Sequence, residues 1–367
     1  MAKVTGLDGI VAAETDISLV DGEQGHLIYR GYWAKDLAVS KEYEEAAYLL
    51  WFGELPDEAR LESVRNSLQS KRELPDRIRK LLEALPATMP VMNVLQVATA
   101  AMSDDTPAWP PTIGQAVELT ALLPTIVTYW HRKQLGLPAI EPDARLGHTA
   151  NFLYMLTGER PNPAHVKALN AYLVLGMEHG MNASTFASRV VLSTQSDMAS
   201  AVSAAIGAMK GPLHGGAPSE VIAMLDAIGS KDHAEAWIRG VLGRGEKLMG
   251  FGHRVYKTRD PRAEALREVT EALSGNDPWF DLAVQTEQIA VALLEEYKPG
   301  RRLYANVEFF AAAIMRAIAL PTALFTPAFT VARVVGWTAH LLEQAEINRI
   351  FRPQSVYTGP QPEQQQR

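Results

Sequence analysis

Cysteine is absent from the 367-residue chain, which excludes disulfides, thiol nucleophiles and thiolate metal sites. A cysteine-free chain fits a reducing cytosol, and a cytoplasmic location is expected. Long apolar runs are missing too: Phe309 to Leu320 is interrupted by Arg316, and Leu119 to Trp130 contains Pro124. Both fall short of the roughly 20 residues a membrane-spanning helix needs, so no membrane association is expected. Asp8, Glu14 and Asp16 stand where a secretory leader would carry its apolar core. Positive charge is in deficit, with 35 Lys and Arg against 42 Asp and Glu. The chain therefore has no electrostatic footprint for nucleic acid. An anionic substrate would have to be held by a local cluster of cations, against a net charge of −7.

What is present is an ordinary globular balance, 47% hydrophobic and 21% charged, over a length that suggests two domains. Only Leu7 to Tyr32 reads as strand: Ile17 to Val20 and Leu27 to Tyr29 flank a turn-rich Asp21-Gly22 and Gly25, predicting a small hairpin. Helix signals follow almost without a break. Ser40 is expected to cap an Ala- and Leu-rich run that stops at Gly53 and Pro56. Asp57, Asp76, Asp197 and Asp232 open further helices, and Asn162-Pro163, Asp260-Pro261 and Asp277-Pro278 place a cap before a first-turn proline. No series of strands could make a parallel sheet. The fold class is all-α, and the polar tail Gly359 to Arg367 (359–367) is expected to be disordered.

Three of the nine histidines lie beside glycine in otherwise helical sequence: EHGMNAS around His179, GPLHGGA around His214 and GFGHRVY around His253. Glycine beside a polar ring lets the backbone turn sharply and approach a ligand. One such histidine fits an ordinary loop; three together call for a common cause. The other six, His26, His131, His148, His165, His233 and His340, read as structural. Gly211-Pro212 ends one helix and Gly216-Ala217-Pro218 starts the next, so His214 is expected against a helix N-terminus that disfavours imidazolium. A neutral imidazole there can donate a hydrogen bond to a developing enolate oxygen.

The GFGH stretch lacks the Gly-Lys-Ser/Thr ending of a phosphate loop, yet Lys247, Arg254, Lys257, Arg259 and Arg262 cluster around it. The cluster is either a solvated basic loop or a contact for polyphosphate, as on a nucleotide or coenzyme A. Glu308 follows the cap residue Asn306 in the first turn of an apolar helix, where the dipole favours the carboxylate. It serves either as helix-end stabilisation or as a general base acting α to a carbonyl. Arg333 sits among Val331, Val334 and Val335 and needs either a buried anionic partner or an escape along its stem to water. Without HExxH, a Cys cluster or an Asp-rich loop, no metal is expected.

These motifs resemble one family, the citrate synthases, over nearly the whole chain. GLDGIVAAETDISLVDGEQGHLIYRGY is similar to that family's opening segment, and EHGMNASTFASRV, GPLHGGA, MGFGHRVYKTRDPRAEAL, ANVEFF, ARVVGWTAHLLEQ and NRIFRP follow in its order. The resemblance implies that His214 stabilises the enol of acetyl-CoA, Glu308 removes the methyl proton and His253 protonates the oxaloacetate carbonyl oxygen. It further implies that His179, Arg262 and Arg333 hold the carboxylates, with Arg352 reaching in from the partner subunit of a homodimer. Lys247, Arg254 and Lys257 are the candidates for the coenzyme A phosphates. No cofactor is implied beyond the thioester substrate.

The implied architecture is a large helical domain, residues 1–215 and 320–367, and a smaller one, 216–319, that closes over the substrate. Two departures stand out. Glu308 occupies the place of the family's usual Asp, one methylene longer, and Gly180 follows His179 where the family commonly has Glu. The competing readings are 2-methylcitrate synthase, which uses propionyl-CoA, and a non-catalytic relative that binds oxaloacetate or citrate.

Overall fold

In the computed structural model, which describes residues 6–7, 9–103, 109–215, 219–253, 256, 258–273, 275 and 277–361, pleated structure is confined to the start of the chain. The expected hairpin is β1 (Ser18–Asp21) and β2 (His26–Tyr29), antiparallel with Ser18 opposite Tyr29 and Asp21 opposite His26. A short third strand, β3 (Tyr32–Trp33), extends it. Its connection was not read from sequence because Arg30 is an unusual turn residue. Arg30 and Gly31 both adopt positive φ, 47° and 87°, as a tight primed hairpin turn requires. Alternation buries Leu27 and Tyr29 and ties this small sheet to the helices behind it.

The described residues otherwise form helices: α1 (Ala34–Ser40), α2 (Tyr43–Phe52), α3 (Glu58–Ser70), α4 (Asp76–Ala84), α5 (Val91–Ala100) and α6 (Ile113–Gln134). Then come α7 (His148–Thr157), α8 (Pro163–Gly176), α9 (Ala183–Ser193), α10 (Met198–Met209) and α11 (Ser219–Ile228). The series ends with α12 (Lys231–Gly243), α13 (Pro261–Ala272), α14 (Pro278–Tyr297), α15 (Val307–Ala317) and α16 (Phe325–Glu346). This is the all-α architecture that capping and periodicity predict.

Caps are where local sequence spoke most directly. The side chains of Asp57, Asn162, Asp197, Asp260, Asp277 and Asn306 each accept a first-turn N–H. Two expected starts are corrected. Ser40 ends α1, its hydroxyl bonded 2.6 Å away to the Asp36 carbonyl, and α2 opens instead on a reciprocal capping box of Glu42 and Glu45. Asp76 opens α4 as expected, as its first residue behind Pro75, whereas Asp232 lies inside the first turn of α12, behind Ser230 and Lys231. There they complement the dipole without capping. Of the expected tail, residues 362–367 lie outside the described residues, and Gly359–Gln361 are exposed coil.

The core is organised by α16, whose apolar sequence is buried on nearly every side against α2, α6, α8, α9 and α10. Contact between α8 and α16 is unusually close: a Cβ on Gly176 would lie 2.8 Å from the Cβ of Ala332. The second group, α11 to α15, packs largely on itself, and α13 and α15 from it meet α8. The end of α8 is thus the place where the two groups and α16 converge.

Candidate active site

At that convergence lies a cavity of about 480 Å³, lined among others by His179, His214, His253, Glu308, Arg262 and Arg333. Six sequence-predicted residues, separated by up to 154 positions, therefore share one space. Arg352 and Lys247 are exposed and line no part of it. Arg254 and Lys257 lie outside the described residues. Arg259, from the same basic run, sets its guanidinium 4.8 Å from the Tyr304 ring centre and lines a neighbouring pocket with Arg302.

His179 follows the end of α8, in a turn that continues through Gly180 at φ +63°. Its Nε2 lies 3.1 Å from the Tyr256 hydroxyl. Burial, then the charges of Arg262 and Arg333, hold its pKa well below the usual histidine range, so the ring is neutral. Arg333 projects from α16, donates from Nε to the Gly176 carbonyl at 2.6 Å and stacks 4.8 Å from the Phe329 ring centre. It is 2% exposed, and burial lowers its pKa, although a guanidinium keeps its charge in proteins.

His214 occupies the turn between α10 and α11. Its pKa is pushed down to about 4, first by burial and then by Arg333. Neutrality is thus as expected. Gly216–Pro218, the expected helix start, lie outside the described residues, and burial with a nearby cation accounts for the direction. Its Nε2 lies 2.7 Å from the hydroxyl of Ser184, which also accepts from Trp337 Nε1 at 3.0 Å and lies 2.8 Å from Asn182 Oδ1. That hydroxyl has one proton and two acceptors in reach, so the choice between Asn182 and His214 sets the imidazole tautomer.

His253, Arg262 and Glu308 form a second rigid unit. The loop of His253 bridges to the segment before α15 through the Phe251–Ala305 pair, Gly252 N–H to the Tyr304 carbonyl (2.8 Å) and Asn306 N–H to the Gly250 carbonyl (2.8 Å). Asn306 joins them once more: Nδ2 donates to the Gly252 carbonyl at 2.9 Å, and Oδ1 accepts the Glu308 N–H at 3.0 Å. Asp260, read from sequence only as a cap, grips Arg262 with both oxygens, Nε to Oδ1 at 3.0 Å and Nη2 to Oδ2 at 2.9 Å. The Tyr256 N–H donates to His253 Nδ1 at 3.0 Å, so the ring proton belongs on Nε2, 3.1 Å from Arg262 Nη2. Two donors face each other there, a contact that an oxygen of a bound carbonyl or carboxylate would relieve.

Glu308 opens into the cavity from the first turn of α15. The dipole argument expects its charged form to be favoured; its pKa is instead raised. Desolvation is the leading cause, Glu220 and Asp260 add to it, and Arg262 opposes. A raised pKa makes the carboxylate a stronger base. The cavity wall also includes Tyr172 and Phe329, which spacing did not single out because each reads as an ordinary core position, and Leu213, fully exposed in the turn beside His214. A wall of neutral imidazoles, a basic carboxylate and two cations suits proton abstraction from one substrate beside a bound anion.

The chain is similar to known proteins over nearly its whole length. The family described as "Citrate synthase, C-terminal domain" matches residues 6–354. A citrate synthase from Synechocystis is 40% identical, covering 96% of this chain and 90% of the relative. A 2-methylcitrate synthase from Mycobacterium tuberculosis is 39% identical with the same coverage. A citrate synthase from Thermoplasma acidophilum, solved as a ternary complex with carboxymethyl coenzyme A and oxaloacetate, superposes with a TM-score of 0.84. It is 32% identical, over 97% of this chain and 96% of that one.

Proposed function

Because the chain belongs to the citrate synthase family, we propose that it condenses acetyl-CoA with oxaloacetate and hydrolyses the resulting citryl-CoA to citrate and CoA. This would make it an acyltransferase at the entry of the tricarboxylic acid cycle. The observation that carries the reading is the placement of neutral His214, His253 and the raised-pKa Glu308 in one cavity with Arg262 and Arg333.

Glu308 takes a proton from the acetyl methyl group, and His214 donates a hydrogen bond to the thioester oxygen as the enol develops. With Nε2 engaged by Ser184, the donor has to be Nδ1. The Ser184 proton must then turn to Nε2, while Trp337 satisfies the hydroxyl from its other side. The enol carbon attacks the oxaloacetate carbonyl carbon, and that oxygen takes the proton from His253 Nε2. Water then attacks the thioester of citryl-CoA and CoA leaves as the free thiol. His179, Arg262 and Arg333 hold the carboxylates, the guanidinium forks fixing orientation as well as charge.

Arg352 is exposed in the extended segment after α16, a position from which it can serve a neighbouring site, and we assign it that role in a homodimer. Lys247, Arg254 and Lys257 are assigned to the coenzyme A phosphates. Residues 216–319 are assigned to a small domain that closes on the remainder, and the enzyme to the cytoplasm. No resident cofactor takes part in these steps.

The test is thiol release from acetyl-CoA and from propionyl-CoA in the presence of oxaloacetate, for the wild type and Glu308→Ala. Release that depends on oxaloacetate and is lost in Glu308→Ala is expected. No release from either thioester refutes the enzyme reading, unchanged turnover in Glu308→Ala refutes the base, and preference for propionyl-CoA moves the assignment to 2-methylcitrate synthase.

A further inference from the structure

Glu178 is fully buried beside the cavity, 0% exposed, and takes no part in the steps above. Its Oε1 accepts from the Ser18 hydroxyl at 2.9 Å and from the Gly180 N–H at 2.5 Å. Its Oε2 lies 3.2 Å from His340 Nε2, off the line of a well-aligned hydrogen bond. Arg189 donates to His340 Nδ1 at 2.8 Å. A guanidinium has no lone pair to offer, so Nδ1 is the acceptor and the ring proton sits on Nε2, facing the carboxylate. Arg189 is itself paired with Glu343 Oε2 at 2.7 Å. The other oxygen of Glu343 accepts from the Thr15 hydroxyl at 3.1 Å and the Asp16 N–H at 2.9 Å. Residues at and just before the start of β1 therefore touch both ends of a buried chain of polar and charged groups.

That chain ends on the substrate-facing groups. By capturing the Gly180 N–H, Glu178 closes the turn that presents His179. Arg333 makes no ion pair among the described residues, and of the charged groups acting on it Glu178 is the strongest. Burial by itself would raise the Glu178 pKa, but His340, Arg333 and Ser18 together hold it below the usual range, so the counter-charge is present. The neighbouring backbone is shaped for this carboxylate. A Cβ on Gly336 of α16 would lie 2.6 Å from Glu178 Oε2, and only glycine leaves that space open. The departure at Gly180 is explained as well. The carboxylate that anchors His179 here comes from the residue before it, and a side chain at position 180, with φ +63°, would be strained and would meet Val20 at 3.2 Å.

We propose that Glu178 is a positioning residue for dicarboxylate recognition, fixing the His179 turn and balancing Arg333, and that Ser18 holds it in place from β1 while Glu343 of α16 does so through Arg189 and His340. The proposal rests on the reading that His179 and Arg333 bind oxaloacetate. The experiment is calorimetric titration of the full-length enzyme with oxaloacetate. It is run for the wild type, Glu178→Gln, Ser18→Ala and the double variant, alongside the KM for acetyl-CoA and the melting temperature of each. Hydrogen bonds to charged groups contribute about 1.5–3 kcal/mol, which sets an expected weakening of about tenfold or more in oxaloacetate Kd for Glu178→Gln. Ser18→Ala should weaken it about threefold, on the order of half the lower bound of that contribution. In the double variant the two effects should be non-additive, since both act through one carboxylate. The KM for acetyl-CoA should stay within about twofold. Should Glu178→Gln fail to fold, Ser18→Ala and Glu343→Gln, both at partly exposed residues, carry the same comparison. Unchanged Kd with a lowered melting temperature would show a purely structural network and overturn the proposal. A wild type that does not bind oxaloacetate would refute the dicarboxylate reading itself, and this inference with it.

Discussion

Gly336→Ala sets two magnitudes against each other at one atom. The added Cβ would stand 2.1 Å from the Met177 carbonyl oxygen, and real Cβ atoms essentially never come within 3.0 Å of a neighbour. The Met177 backbone must therefore retreat by about 0.9 Å, because a carbonyl in the chain, unlike the end of a flexible side chain, cannot rotate away. In an open helix the same substitution would stabilise by about 1 kcal/mol. Overpacking a tight contact costs about 1–3 kcal/mol, so the net effect is a loss of about 0–2 kcal/mol. Function should suffer more than stability. Met177 lies two residues before His179, and a displacement near 1 Å at a catalytic group costs on the order of a hundredfold. The expected result is a protein that folds, melts at most a few degrees lower, and loses about 10- to 100-fold in kcat/KM for oxaloacetate. Gly243→Ala, where a Cβ meets nothing within 4 Å, is the matched control and should leave activity alone. If Gly336→Ala keeps wild-type kcat/KM and gains stability as an open helix position would, the argument that α16 sets the His179 turn by close approach is wrong.

Two further outcomes follow from the site. Ser184→Ala removes the group that selects the His214 tautomer and strands the buried Trp337 Nε1. It should lower kcat about tenfold while leaving the KM for oxaloacetate near the wild-type value, and steady-state kinetics showing a KM effect alone would contradict it. Thermal stability should fall as pH drops from about 6.5 to about 4. His148 and His179, both through burial first, and His214 have folded pKa values below their unfolded ones. The unfolded chain then binds more protons across that window, and stability present above it is lost on acidification. Glu44, Glu287 and Glu308, whose pKa values burial raises, oppose the trend, while Glu178, Asp197 and Asp260, held below the usual carboxylate range, add to it. A melting temperature that is flat or rises toward pH 4 would count against the buried neutral histidines.

Sequence disclosed the parts of this molecule that depend on neighbours along the chain. A carboxylate or amide before a proline marks a helix start because the N–H it accepts from is only two residues away, and Asp260, Asp277 and Asn162 were legible for that reason. Ser40 was misplaced because its hydroxyl found the carbonyl four residues back instead of the N–H groups ahead. The histidine motifs were legible through their glycines and the family they resemble. Their partners were not, since Ser184 reaches His214 across 30 positions and Trp337 reaches Ser184 across 153. Asp260 looked like a cap and is also the clamp on Arg262, a second role visible only once the guanidinium folds back onto it. The sign at Glu308 was missed because the helix dipole is a local quantity, whereas desolvation and the charges of Glu220 and Asp260 are set by packing.

The side chain of Asn306 has a consequence for how the site works. One amide holds the Gly252 carbonyl at 2.9 Å and the Glu308 N–H at 3.0 Å, so the loop bearing His253 and the helix bearing Glu308 share a single clasp. The proposed proton acceptor and proton donor are therefore tied to each other through one side chain. Elsewhere in the cavity wall, His179, His214 and Arg333 are carried by the turn after α8, the turn after α10 and α16. With the roles proposed for Glu308 and His253, Asn306 aligns base and acid with each other before any substrate is bound.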